Sequence, residues 1–194
     1  MDHLAGTLNT NGHMITIGNN FNIEFGPNHL ARLNLSNSHF HVIKGDARFT
    51  YEHTTNNLMP GTSTVYHHTG GFITGGIVHN ALYKVIFNSV KDSLPGKLGA
   101  ISIQDSVIFN YFGEIRTWNH LNLAPTINTA YFKNNGNIYN TNQFLNLRFS
   151  PGRTYSFGNY TPINQPPNPI TDQIILPGGT FIADGGTACT GVVT

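Results

Sequence analysis

Charge is what this sequence has least of. Only 10% of its residues are charged, against about 25% in ordinary globular domains. The 10 Lys+Arg nearly cancel the 9 Asp+Glu, leaving a formal charge of +1. No basic run interleaves with aromatics, so the electrostatic footprint of a nucleic-acid binder is missing. Cys189 is the only cysteine, which excludes an internal disulfide and leaves the redox compartment unmarked. Apolar runs such as "ALYKVIF" fall far short of the roughly 18 residues of a membrane helix, so membrane insertion is not expected. The opening "MDHLAG" lacks the cationic, then apolar, pattern of a secretory signal. The chain is therefore expected to be either intracellular or a mature or excised piece of a longer secreted protein. No window carries a 3.6-residue apolar period, and no helix is expected.

Amides take the place of charge: 25 of the 194 residues are asparagine. Asn tolerates left-handed backbone and hydrogen-bonds its own main chain, which suits stacked turns. Such a surface also suits neutral polar partners such as glycans better than highly charged ones. Between the turns come runs of three to six β-branched or aromatic residues, among them "HMITI", "FNIEF", "HFHVI", "STVYH", "LYKVIF" and "FLNLRF". They are separated by turn chemistry, including "NG" at 11–12 and 135–136 and "GG" at 70–71, 75–76, 178–179 and 185–186. The pattern is all-β. A chain of 194 residues makes one domain with a real core.

Two all-β architectures fit short, closely spaced strands: a jelly roll or β-sandwich, and a β-solenoid whose coils stack on one another. Internal echoes favour coils. "ALYKVIFNS" (81–89) and "QFLNLRFSP" (143–151) share one apolar pattern, and "TIGNNFNI" (16–23) and "SFGNYTPI" (156–163) share another. "GTLNTNG", "GTSTVYHHTGG" and "GTFIADGG" each open on Gly-Thr and close on glycine. In a solenoid, Asn at equivalent turns can stack into hydrogen-bonded ladders. Ile15, Ile17, Phe21, Ile23, Val85, Phe87, Leu147 and Phe149 are expected to point into a common core, in columns running from coil to coil.

The succession "GTLNTNGHMITIGNNFNI", "ARLNLSNSHFHVIKGDARF", "GTSTVYHHTGGFITGG", "LYKVIFNS", "FLNLRFSPGRTYSFGNYTPI" and "NPITDQIILPGGTFIADGG" resembles segments of very large adhesin-like surface proteins of Bacteroidota, linked to gliding and type IX secretion. The resemblance covers most of the chain, in that family's order. It implies a right-handed parallel β-helix on the cell surface, cut from a longer chain of neighbouring repeats. The sequence departs from the pattern at "NNGNIYNTN" and at the Pro-rich "NQPPNP", and carries neither a secretion signal nor a C-terminal sorting domain. A solenoid excised from an array exposes terminal strand edges. Weak self-association through an end coil is expected, or else capping by "NQPPNP".

Candidate chemistry is sparse. His39 and His41, at i and i+2 of "HFHVI", leave one face of a strand, with Phe40 and Val42 as the core residues. Neighbouring coils could bring His53, His67 or His68 near them. Zinc wants three or four oriented ligands, and with no HExxH or CxxC the histidines are expected to face solvent, with no metal and no cofactor. Glycoside cleavage needs a carboxylate pair, and Asp105 with Glu114 is the least unsuitable of the scattered acids. There is no GxSxG elbow and no P-loop, the glycines of "GGFITGG" suiting tight corners instead. Tyr51, His53, Tyr66, His68 and Trp118 are the candidate ligand contacts, since amphipathic rings can stack on sugars. The expected role is a structural or adhesive segment of an extracellular, cell-surface adhesin without enzymatic activity, meeting glycans or proteins. The alternatives are a glycan-binding module on the same coil, a polysaccharide-cleaving β-helix, and a viral jelly-roll or fibre protein.

Overall fold

A computed structural model describes residues 6–25, 31–51, 58–75, 81–89, 95–116, 126–139, 142–150, 153–158, 174–175, 180–183 and 188–190. They form strands that coil and stack. The first coil holds β1 (Gly6–Asn9), β2 (Met14–Ile17) and β3 (Phe21–Phe25); the second holds β4 (Ala31–Asn34), β5 (His39–Val42) and β6 (Ala47–Tyr51). The third holds β7 (Leu58–Met59), β8 (Thr64–His67) and β9 (Gly71–Thr74). Two-strand coils follow: β10 (Ala81–Phe87) with β11 (Gly96–Leu98), β12 (Ser102–Phe109) with β13 (Gly113–Arg116), β14 (Thr126–Phe132) with β15 (Gly136–Tyr139), and β16 (Asn142–Phe149) with β17 (Thr154–Gly158). Beyond these come β18 (Ile174–Ile175), β19 (Thr180–Ala183) and β20 (Ala188–Thr190).

Every described pairing joins one coil to the next, and each is parallel. Sheet A runs β1-β4-β7. Sheet B runs from β2 through β5, β8, β10, β12, β14 and β16 to β18, with β19 also on β16. Sheet C runs from β3 through β6, β9, β11, β13, β15 and β17 to β20. The chain is a parallel β-solenoid, and the antiparallel sheets of a jelly roll or sandwich do not occur among the described residues.

In the first three coils the repeat is regular on sheets A and B: Met14, His39 and Thr64 share one position 25 residues apart, as Thr10 and Leu35 do at the corner before it; on sheet C the partners Phe21, Ala47 and Ile73 are 26 apart. Asn11, Ser36 and Gly61, at one corner of those coils, all have positive φ, 50°, 50° and 55°. "NG" at 11–12 is thus a solenoid corner between two sheets, not a hairpin. At Gly61 a side chain would also strike the Ser36 carbonyl. Among the described residues, from β10 to β16 no separate sheet A strand occurs and one longer strand covers both stretches, until β18 and β19 divide them again against β16. The register of β10 slips between Leu82 and Lys84 against Ile103 and Ser106, and again between β12 and β14. The extra residue of β12 is a β-bulge, which bends a strand without interrupting the sheet.

The core consists of columns. Ile15, Phe40, Val65, Val85, Val107, Ala130 and Leu147 occupy one register position. Ile17, Val42, His67, Phe87, Phe109, Phe132 and Phe149 occupy the next inward one. All but the half-buried Ile15 and Ile17 are fully enclosed, and those two pack against the cluster. Phe21 and Ile23 are buried as well. The rings stack along the axis: Phe87 on Phe109 at 4.9 Å, and Phe109 on Phe132 at 4.6 Å.

Room for this ring column comes from sheet C, where Gly71, Gly96, Gly113 and Gly136 form a register column of their own. A Cβ on Gly113 would lie 2.3 Å from the Phe109 ring, one on Gly136 2.4 Å from Phe132, and one on Gly71 2.7 Å from His67. Phe21 and Ala47 belong to a different sheet C column, that of Ile73 and Leu98, two residues beyond Gly71 and Gly96. From the third coil to the sixth, ring on sheet B and glycine on sheet C fit one another, as close packing demands. Gly71 and Gly75 of "GGFITGG" and Gly136 of "NG" at 135–136 therefore serve close approach more than tight turning.

Several sequence expectations change in detail. "NNGNIYNTN" is no interruption, since it contains β15, in register with β13 and β17. "TIGNNFNI" spans the corner from sheet B to sheet C, whereas Ser156 lies on sheet C. That echo joins non-equivalent positions. An Asn ladder step joins two coils, Asn110 Nδ2 donating to Asn88 Oδ1. "NQPPNP" lies outside the described residues.

Candidate functional site

Alternation on a strand sends Phe40 and Val42 into the core and His39 and His41 out through the other face of sheet B. One coil along, β8 repeats the pattern: Tyr66 is the register partner of His41, and His68 follows, its backbone N–H donating to Val42 O at 3.0 Å. Parallel in-register stacking then forces the side chains together. The His41 and Tyr66 rings lie parallel, centroids 4.6 Å apart and planes 8° from each other. His39 stacks on the same tyrosine at 5.8 Å. His68 lies beside His41, ring to ring at 5.2 Å, and His41 Nδ1 is 2.9 Å from His68 Nε2. One nitrogen carries the proton and the other accepts it, so both rings cannot be charged and keep the bond. Partial burial first, then the neighbouring His68 and His39, holds the His41 pKa below the usual histidine value.

The face of Tyr66 toward β5 is covered by His41, and its register neighbour on the other side is Ile86. What this ladder turns outward is ring edges, imidazole nitrogens and a phenol hydroxyl. Of the residues singled out in the sequence, Tyr66 and His68 meet here, joined by His39 and His41. Tyr51 belongs to β6 on sheet C, paired with Phe25, and takes no part in the ladder's sheet. His53 and Trp118 lie outside the described residues. The signal that marks His41 as a member is its distance of one coil repeat from Tyr66.

His67 departs from the expectation that the histidines face solvent. It occupies the ring column at 0% exposure, its Nε2 donating to Gly45 O at 2.7 Å. Burial, the largest cause, lowers its pKa against the opposing effect of that hydrogen bond.

Further along the same outer face, Arg148 lies 4.8 Å over the Tyr131 ring, with Lys133 at 5.7 Å. Asp105 and Glu114 do not form a pair: Asp105 is on sheet B, 3.4 Å from Lys84, and Glu114 is on sheet C, 2.6 Å from Arg116. Each carboxylate is committed to a cation of its own. Among the described residues no group of three or more His, Cys, Asp or Glu side chains is arranged to hold a metal ion. No family description, curated protein or solved structure matches this chain.

Proposed function

We propose that this chain is a structural or adhesive segment of an extracellular, cell-surface adhesin, a rod that spaces or presents rather than catalyses. The observation that carries this reading is the continuity of the core columns, with one register position repeated in coil after coil along sheets B and C. Each coil is stabilised by its neighbours alone, so a body of this kind extends by adding coils and stays stiff. The likeness to Bacteroidota surface adhesins supports the same reading, as does an outer surface of amides and hydroxyls.

Glycan binding is the second reading, supported by one outward row on sheet B: Thr16, His41, Tyr66, Ile86, Ile108, Tyr131 and Arg148 share a register position. A linear glycan laid along the axis would meet hydrogen-bonding groups at both ends of that row. Beads coated with the chain, tested for retention on extracellular-matrix proteins and on a glycan array, separate the two. Retention on protein surfaces without glycan selectivity is expected. Selective glycan capture lost in Tyr66→Ala and Tyr131→Ala would move the conclusion to the second reading. Turnover of a uronic polysaccharide would overturn both.

A further inference from the structure

We infer that His41 and His68 form a surface chelate for a divalent transition-metal ion with tetragonal preference, copper(II) above nickel(II). The inference rests on the spacing and setting of two nitrogens. At metal–imidazole bonds of about 2.0 Å, nitrogens 2.9 Å apart subtend roughly 90° at the metal, the angle between adjacent ligands of a square-planar or tetragonal ion. A tetrahedral ion such as zinc asks for a wider separation. Copper(II) also heads the affinity order of divalent ions for imidazole.

The backbones that carry the two rings are held in advance. His41 is clamped against Tyr66, and the backbone of His68 is tied to Val42 in the adjacent coil. Neither ring needs to cross a coil to reach the ion; each turns its ring to aim a lone pair outward. The hydrogen bond between them gives way without net loss of a proton. Both imidazoles stay neutral, His41 carrying its proton on Nε2 and His68 on Nδ1, while Nδ1 of His41 and Nε2 of His68 bind the metal. Water completes the coordination.

The groups facing the pair are few. On β5 and β8 they are His39 and Tyr66; Thr16 on β2 is in register with His41, Ile86 on β10 with Tyr66, and Asn88 follows β10 beside His68, while Met14 and Lys84 stand one outward position back, in register with His39 and Thr64. Lys84, the one fixed cation of this set, pairs with Asp105. Protons compete with the ion for both ring nitrogens, so affinity falls as pH drops.

The test titrates copper(II) alone into untagged chain carrying His3→Ala, because a histidine at the third residue of a free N-terminus would compete. Calorimetry should show one equivalent bound, and electron paramagnetic resonance a tetragonal copper with two coordinated imidazole nitrogens. His41→Gln and His68→Gln should each weaken binding at least tenfold. His39→Gln should change it less than threefold. Far-UV circular dichroism of each variant shows that the solenoid is retained, and the melting temperature of the unsubstituted pair should rise with added copper. The inference is overturned if the His41 and His68 variants bind as tightly as the parent. It is overturned equally if only one nitrogen is coordinated, or if His39→Gln proves as damaging as His68→Gln.

Discussion

A buried histidine couples the stability of this protein to pH. His67 is enclosed in a column otherwise made of aliphatic and phenyl side chains, and its folded pKa is lowered from 6.5. The unfolded chain therefore takes up the proton first as pH falls, and stability that is fully present above about pH 6.5 is lost on descending toward the folded pKa. Urea midpoints between pH 8 and pH 4.5 should decline in the parent. His67→Phe should flatten that decline, leaving the smaller part due to His41. The same variant strands the Gly45 carbonyl, so at pH 8 it should be no more stable than the parent, or less stable by about 1–3 kcal/mol. A pH profile identical to the parent's would refute this account. Inward and outward positions on "HFHVI" were legible residue by residue, because alternation is a local property. That His67 turns in while His68 turns out was not, since both belong to "VYHHTG" and only strand register separates them.

At the scale of elements, a glycine on sheet C makes room for the stacked ring on sheet B in the third to sixth coils. Gly113→Ala pushes a methyl group into the Phe109 ring, an overpacking that costs about 1–3 kcal/mol. Adding Phe109→Leu should return part of that loss, so the double variant should be more stable than the sum of the single ones. Thermal melts of the four proteins of this cycle measure the coupling directly. Phe109→Ala alone, which removes a ring stacked on both sides, should cost about 3–5 kcal/mol. The motif is visible in the sequence as "FNYFG" and "FKNNG" once its meaning is known. It is easily passed over because β10 reaches Gly96 only after a longer excursion, and β16 leads to Tyr155 in place of glycine.

For the whole molecule, the regular early coils predict a modular response to deletion. Removing residues 14–38 joins His13 to His39, which occupies the place of Met14 in the next coil. This shortened chain should fold, with parallel-β circular dichroism and a denaturant m-value lower by roughly an eighth, because less surface is exposed on unfolding. Deleting half as many residues should abolish cooperative unfolding, since it swaps inward and outward faces or moves a corner into a strand. Equal outcomes for the two deletions would be incompatible with a stack of independent coils. The sequence by itself determined the class of fold: absent helical period, short alternating runs and Asn/Gly corners admit little besides strands, and the recurrence of similar runs favours coils. The inward set of Ile15, Ile17, Phe21, Ile23, Val85, Phe87, Leu147 and Phe149 follows from the same local alternation. Tertiary structure alone decided which coil faces which, and at what register. It thereby set His41 on Tyr66 and beside His68, buried His67 and sent Asp105 and Glu114 to different sheets. Local sequence dictates a strand's two faces, but contacts between strands depend on the length of every intervening corner, and in this chain those lengths vary, the corner from sheet B to sheet C gaining a residue from coil to coil through the first three.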